Sequence, residues 1–138
     1  MDNHLARRAL SLVNTLWLDT GNHAESGQVI CGTTSDPVLV RDALEKNSGV
    51  ISVLPNAALV FPEPLEPEET PAPAASCAEL VEAGVQHLLI NDSVATAAAS
   101  YIYRLLYRRP LTSFMTFVSL DAVRPVLISK ESIGAYVT

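Results

Sequence analysis

The chain has 138 residues, enough for one domain or a part of one, and 49% of them are hydrophobic against 17% charged. Such a balance supports a packed core and excludes a disordered chain. Nine basic against fifteen acidic residues give a net charge of −6, which argues against a nucleic-acid groove or an anionic membrane surface, since both need clustered Lys and Arg.

Two cysteines, Cys31 and Cys77, cannot build a disulfide framework. With no secretory leader read at the start, they point to a reducing, cytoplasmic setting. The longest apolar stretch, Leu88 to Tyr107, is interrupted by Asp92 and Arg104, so no membrane-spanning helix is expected.

Leu5, Ala9, Leu12, Val13 and Leu16 recur three and four residues apart, which predicts an opening helix with Asp2 placed to cap its first turn. Asp19-Thr20-Gly21-Asn22 reads as a turn. Gln28 to Cys31 then reads as a short strand closed by Gly32, with Leu16 to Leu18 as its candidate partner strand. Asp36-Pro37 has the chemistry of a helix start, Asp36 as cap and Pro37 at the first helical position. Asn47-Ser48-Gly49 breaks the chain before Val50 to Leu54, a strand or extended segment.

Residues 55–75 change character. Six of the nine prolines fall between Pro55 and Pro73, with Glu63, Glu66, Glu68 and Glu69 among them. This predicts an exposed Pro/Glu-rich crossover loop that holds no helix, with Ala57 to Phe61 apolar enough to dock in passing.

Ser76-Cys77-Ala78-Glu79 is a capping-box pattern. It opens a helix to about Gly84, and a second, long helix is expected from Gln86 to Tyr107. Ala95, Ala97, Ala98 and Ala99 leave that helix small or apolar on nearly every face, so burial on more than one side against a sheet is expected. Ser113 to Leu120 and Val123 to Ser129, separated by Asp121-Ala122, predict a closing hairpin. The tail from Lys130 reads as loosely held.

None of this names a chemistry alone. No Gly-rich loop joins a strand to a helix as a phosphate cradle would. His4, His23 and His87 share no ligand spacing, and neither cysteine belongs to a CxxC pair.

Two local patterns are sharper. Asp2-Asn3 followed by Arg7 resembles the Asp-Asn-x-x-x-Arg signature of the ThiF family, enzymes that adenylate ubiquitin-like and sulfur-carrier proteins. Ser76-Cys77-Ala78-Glu79 is similar to that family's crossover-loop cysteine at a helix start. Ile90-Asn91-Asp92-Ser93-Val94-Ala95 adds to the likeness, which is greatest to the ThiF-type proteins of plasmid-borne PRTRC systems.

The resemblance implies an α/β fold, the C-terminal portion of a Rossmann-like ThiF-type adenylation domain. Residues 1–138 would be a single partial domain with a mixed sheet, a buried long helix and a terminal antiparallel hairpin. It further implies ATP and Mg2+ as cofactors, with Asp2, Asn3 and Arg7 at the nucleotide and Asp2 at the metal. Cys77 would be the catalytic nucleophile that takes the activated protein as a thioester.

The partner implied is a ubiquitin-like or sulfur-carrier protein. The family's nucleotide-binding half would precede Met1, and the paired zinc cysteines of many relatives are missing. Adenylation is therefore expected only within a longer chain or with a partner subunit. The alternative is a non-catalytic pseudoenzyme or assembly module, for which a homodimer is one form.

Cys77 at a helix start would feel the positive end of the dipole, which favours thiolate, while Glu79 and Glu82 oppose it. The contrasting reading is a small apolar residue without reactivity. Cys31, between Ile30 and Gly32, reads as core filling, and Asp2 as a helix cap irrespective of any nucleotide.

Overall fold

The computed structural model describes residues 15–23, 25–46, 49, 51–62 and 77–137, with the backbone alone for 77–83 and 86. In chain order these form β1 (Trp17–Asn22), β2 (Ser26–Gly32), α1 (Pro37–Glu45), α2 (Ala57–Val60), α3 (Cys77–Leu106), β3 (Ser113–Ser119), β4 (Val123–Leu127) and α4 (Lys130–Gly134). The strands make one sheet in the order β1-β2-β3-β4, with every neighbouring pair antiparallel.

The chain is therefore α/β in content, but the expected mixed sheet is corrected to an antiparallel one among the described residues. The reason lies in the connections. Three residues join β1 to β2 and three join β3 to β4, and turns that short link only antiparallel strands.

Strand alternation decides what each face of the sheet meets. In β2, Gly27, Val29 and Cys31 face α3, where they pack with Ile90, Val94, Tyr101 and Val118. Gly27 is required there, because a Cβ would run into the Val94 side chain. On the other face, Ile30 joins Val40 of α1, Leu54, Val60 of α2, Phe114, Met115, Ile133 of α4 and Val137. A register shift between Ser113 and Met115 turns both Phe114 and Met115 into that second cluster, as a bulge does when it adds a residue to one strand.

Several sequence readings hold at their ends. Asp36 caps α1, its carboxylate accepting from the Val38 N–H at 2.8 Å with Pro37 at the helix start, an arrangement worth about 1 kcal/mol. The closing hairpin turns at Leu120–Ala122, and the Ser119 hydroxyl oxygen accepts from the Ala122 N–H at 3.1 Å.

Others are corrected. Asp19 to Asn22 lie in β1, not in a turn. Their ladder with residues 27–30 and the Asn22 amide bond to the Asn91 carbonyl oxygen outweigh local turn preference. Helix α3 is continuous over 30 residues. Gly84 does not interrupt it, since a lone exposed Gly costs a helix only about 1 kcal/mol. It is also buried on one side rather than several, leaving Leu88, Leu89, Ile102 and Leu106 exposed.

The crossover holds a helix after all. Pro55 and Pro62 bracket the short α2 without entering it, and Asn56 caps it by accepting from the Leu59 N–H at 3.3 Å. Residues 63–75 of that loop, and Ser76, lie outside the described residues.

The stretch from Ile51 to Leu54 runs extended but joins no ladder. It is tied instead to the end of β2, where the Thr33 and Thr34 N–H groups donate to the Leu54 carbonyl. The tail from Lys130 is held by a capping box, with Ser129 and Ser132 each accepting from the other's backbone N–H. Ile133 and Val137 anchor it in the core.

Candidate functional site

The residues singled out by resemblance are not brought together among the described residues. Asp2, Asn3 and Arg7 lie outside them, as does the opening helix expected around Leu5 to Val13. Cys77 is the first described residue of α3; Ser76, the cap in the capping-box reading, lies outside the described residues.

Cys31 is where core filling would place it. It is buried between β1, β3 and α3, and burial pushes its thiol up from 9.0 to about 11. At neutral pH it is protonated, and a thiol without thiolate is neither nucleophile nor ligand. Among the described residues, no group of three or more His, Cys, Asp or Glu side chains could hold a metal ion. No described helix is long and apolar enough to cross a membrane.

The described surface carries a groove of about 430 Å³ at the β1–β2 and β3–β4 turn end of the sheet. Gln28, Phe117 and Arg124 line it from three adjacent strands, set side by side by the pairings Gln28↔Phe117 and Phe117↔Arg124. Phe61, just beyond α2, closes it as a second ring, and Ser119 and Ala122 form its rim.

Its chemistry is that of binding. Among the described residues, the one ion pair is Lys46 with Asp42, so the Arg124 guanidinium faces the groove without a carboxylate. A guanidinium offers five donors in a fixed fork suited to a carboxylate. Beside it stand the Gln28 carboxamide and two aromatic rings that present flat apolar surface. The Ser119 hydroxyl is engaged by the turn backbone and is no free nucleophile. The other hydroxyl cluster, Tyr101 with Thr116 at 2.9 Å and Ser113 at 3.2 Å, is sealed between α3 and the sheet, where it satisfies buried polar atoms.

Sequence reasoning missed this groove. Along the chain, Gln28, Phe117 and Arg124 stand out only as members of β-rich runs. The available signal is a lone Arg inside the apolar run Val123–Leu127, on the same strand parity as Val126. No family model matches the chain, and neither does any curated protein or solved structure.

Proposed function

We propose that this chain is the C-terminal half of a ThiF-type adenylating enzyme. The complete enzyme would join the C-terminal carboxylate of a ubiquitin-like or sulfur-carrier protein to the AMP moiety of ATP, with release of pyrophosphate; the Cys77 thiolate would then take the acyl group as a thioester, with release of AMP. In this reading the antiparallel sheet is the distal part of a larger sheet.

The observation that carries the reading is the order in which the sheet is laid down. From β1 outward the strands follow in chain order, and β1 has a partner on one side only among the described residues. Its edge carries no Pro or Lys of the kind that blunts an exposed strand, whereas the opposite edge has Pro125. An edge unpartnered among the described residues, downstream of the Asp2-Asn3 signature, suits the addition of a nucleotide-binding half.

Two features support it further. The described part of α3 opens with Cys77, which follows the proline-rich stretch in the sequence. The groove at Gln28, Phe117 and Arg124 suits an extended chain with a carboxylate, as a carrier tail would present. The described residues do not themselves fit ATP or Mg2+: they include no Gly-rich strand-to-helix loop and no metal-ligating group. That machinery is assigned to Asp2, Asn3, Arg7 and a nucleotide-binding half or partner subunit.

The test uses the complete protein with ATP and a ubiquitin-like carrier, following ATP–pyrophosphate exchange and a thiol-cleavable conjugate. Asp2→Ala is expected to abolish exchange. Cys77→Ala is expected to keep exchange and lose the conjugate. A conjugate that persists in Cys77→Ala overturns the role of that thiol. Absence of exchange in the wild-type protein overturns the enzyme and leaves the non-catalytic assembly module.

A further inference from the structure

The side of α3 turned away from the sheet has a pattern of its own. Val85, Leu88, Asp92, Ala95, Ala99, Ile102 and Leu106 follow at alternating steps of three and four residues, the spacing of a seam along which two helices pair. Its four large apolar members are between 46% and 74% exposed, and the other three are exposed as well.

We propose that α3 pairs through this stripe with α3 of a second copy, antiparallel and two-fold symmetric about the stretch between Ala95 and Ala99. The inference does not depend on the adenylating reading and would hold for the assembly module too.

Area is the first argument. Together with the exposed Tyr103, the stripe leaves on the order of 700 Å² of largely apolar surface in water, beyond the roughly 300–600 Å² of the largest patch on an ordinary monomer. It approaches the ~800 Å² per partner of a standard interface. Pairing the same patch with itself buries both copies at once, as a two-fold contact does.

Charge sets the direction. Parallel pairing along the same stripe would set Asp92 against Asp92 and align the two helix dipoles. Antiparallel pairing separates the two carboxylates and opposes the dipoles.

Asp92 sets the register. Centring the pair on residues 95–99 puts Leu88 against Leu106 of the second copy, Asp92 against Ile102 and beside Tyr103, and Ala95 against Ala99. Centring it on Asp92 instead would oppose two like charges in an apolar seam, the use of a seam polar residue to reject a wrong alignment. The central alanines allow the two backbones to approach to about 8 Å.

Light scattering on the 138-residue chain at micromolar concentration is expected to give twice 14.8 kDa. Ala99→Glu puts a charge at the exposed centre while keeping a good helix former. It is expected to give 14.8 kDa with an unchanged circular dichroism spectrum. A monomeric wild-type chain overturns the proposal, whether residues 1–14 or another protein cover the stripe, and so does a dimer that survives Ala99→Glu.

Direction is read by cross-linking in a Cys77→Ser background. The pair Leu88→Cys with Leu106→Cys is expected to form disulfide-linked dimers on mild oxidation. Leu88→Cys alone is not, because its two copies would stand roughly 27 Å apart. The reverse pattern overturns the antiparallel pairing.

Discussion

The two sides of the sheet are covered in different ways. One is closed by short pieces, α1, α2, α4 and the extended 51–55 stretch, which bring Val40, Leu54, Val60, Ile133 and Val137 onto Ile30, Phe114 and Met115. The other is covered by the single helix α3, through Ile90, Val94 and Tyr101. A mosaic of short segments has no secondary structure long enough to stand alone, so its stability comes from converging on one cluster. A long helix needs only one stripe for the sheet and keeps the rest for something else. The apolar surface left over on the α3 side is the product of that difference.

The largest test of this comparison is Phe114→Ala against Ile90→Ala. Both side chains are fully buried or nearly so. Phe114→Ala is expected to cost about 4 kcal/mol and Ile90→Ala about 3 kcal/mol in urea unfolding. Hydrogen exchange sharpens the contrast: Phe114→Ala should loosen α1, α2 and α4 together, because they share that cluster, and leave α3 protected. Equal loosening of α3 would erase the distinction between the two sides.

Glycines probe the same contrast at a smaller scale. A Cβ at Gly32 would meet backbone, the Pro55 carbonyl oxygen at 2.5 Å and the Asn56 nitrogen at 2.6 Å. At Gly27 it would meet the Val94 side chain, which α3 can relieve by a small shift, and the Gly21 carbonyl oxygen at 2.9 Å. Gly32→Ala, blocked by backbone alone and more closely, is therefore expected to cost about 3 kcal/mol and Gly27→Ala about 2 kcal/mol, from overpacking. The reverse order would mean that α3 is the more rigid cover.

Cys31 gives an effect confined to alkaline pH. Its native thiol ionises near 11 rather than 9.0, so the folded state holds its proton more tightly than the unfolded one. The associated stability is complete below pH 9 and is lost as pH rises through about 11, by about 1.4 kcal/mol per pH unit in between. Urea titrations should show this slope in the wild-type chain and its absence in Cys31→Ala. A thiol reagent should likewise leave native Cys31 unmodified at pH 8.

Features that depend on a few neighbouring residues were legible. Asp36-Pro37 starts a helix because a carboxylate can reach the Val38 N–H two residues on, and Asp121-Ala122 sits in a hairpin turn between two β-rich runs. Cys31 reads as core filling from its place in an apolar strand run, and it is buried.

Features that depend on distant residues were not. Asp19 to Asn22 have turn chemistry and became strand because β2 supplied the hydrogen-bond partners. The tail looked loose because Ile133 and Val137 acquire their worth only from Phe114 and Val40, far away in the chain. The groove needed Gln28, Phe117 and Arg124 on one face, and only a register across three strands places them there.

The alanine-rich helix shows the divide most directly. Its composition established that α3 would be a helix able to pack closely, since Ala and Leu favour helix and expose little polar surface. Which side would meet the sheet, and how much apolar surface would remain in water, depended on the width of a sheet whose strands come from both ends of the chain. Local hydrogen bonding and side-chain entropy act within a turn or two and can be read along the sequence. Burial is a property of surfaces in contact, and it exists only once the chain has brought them together.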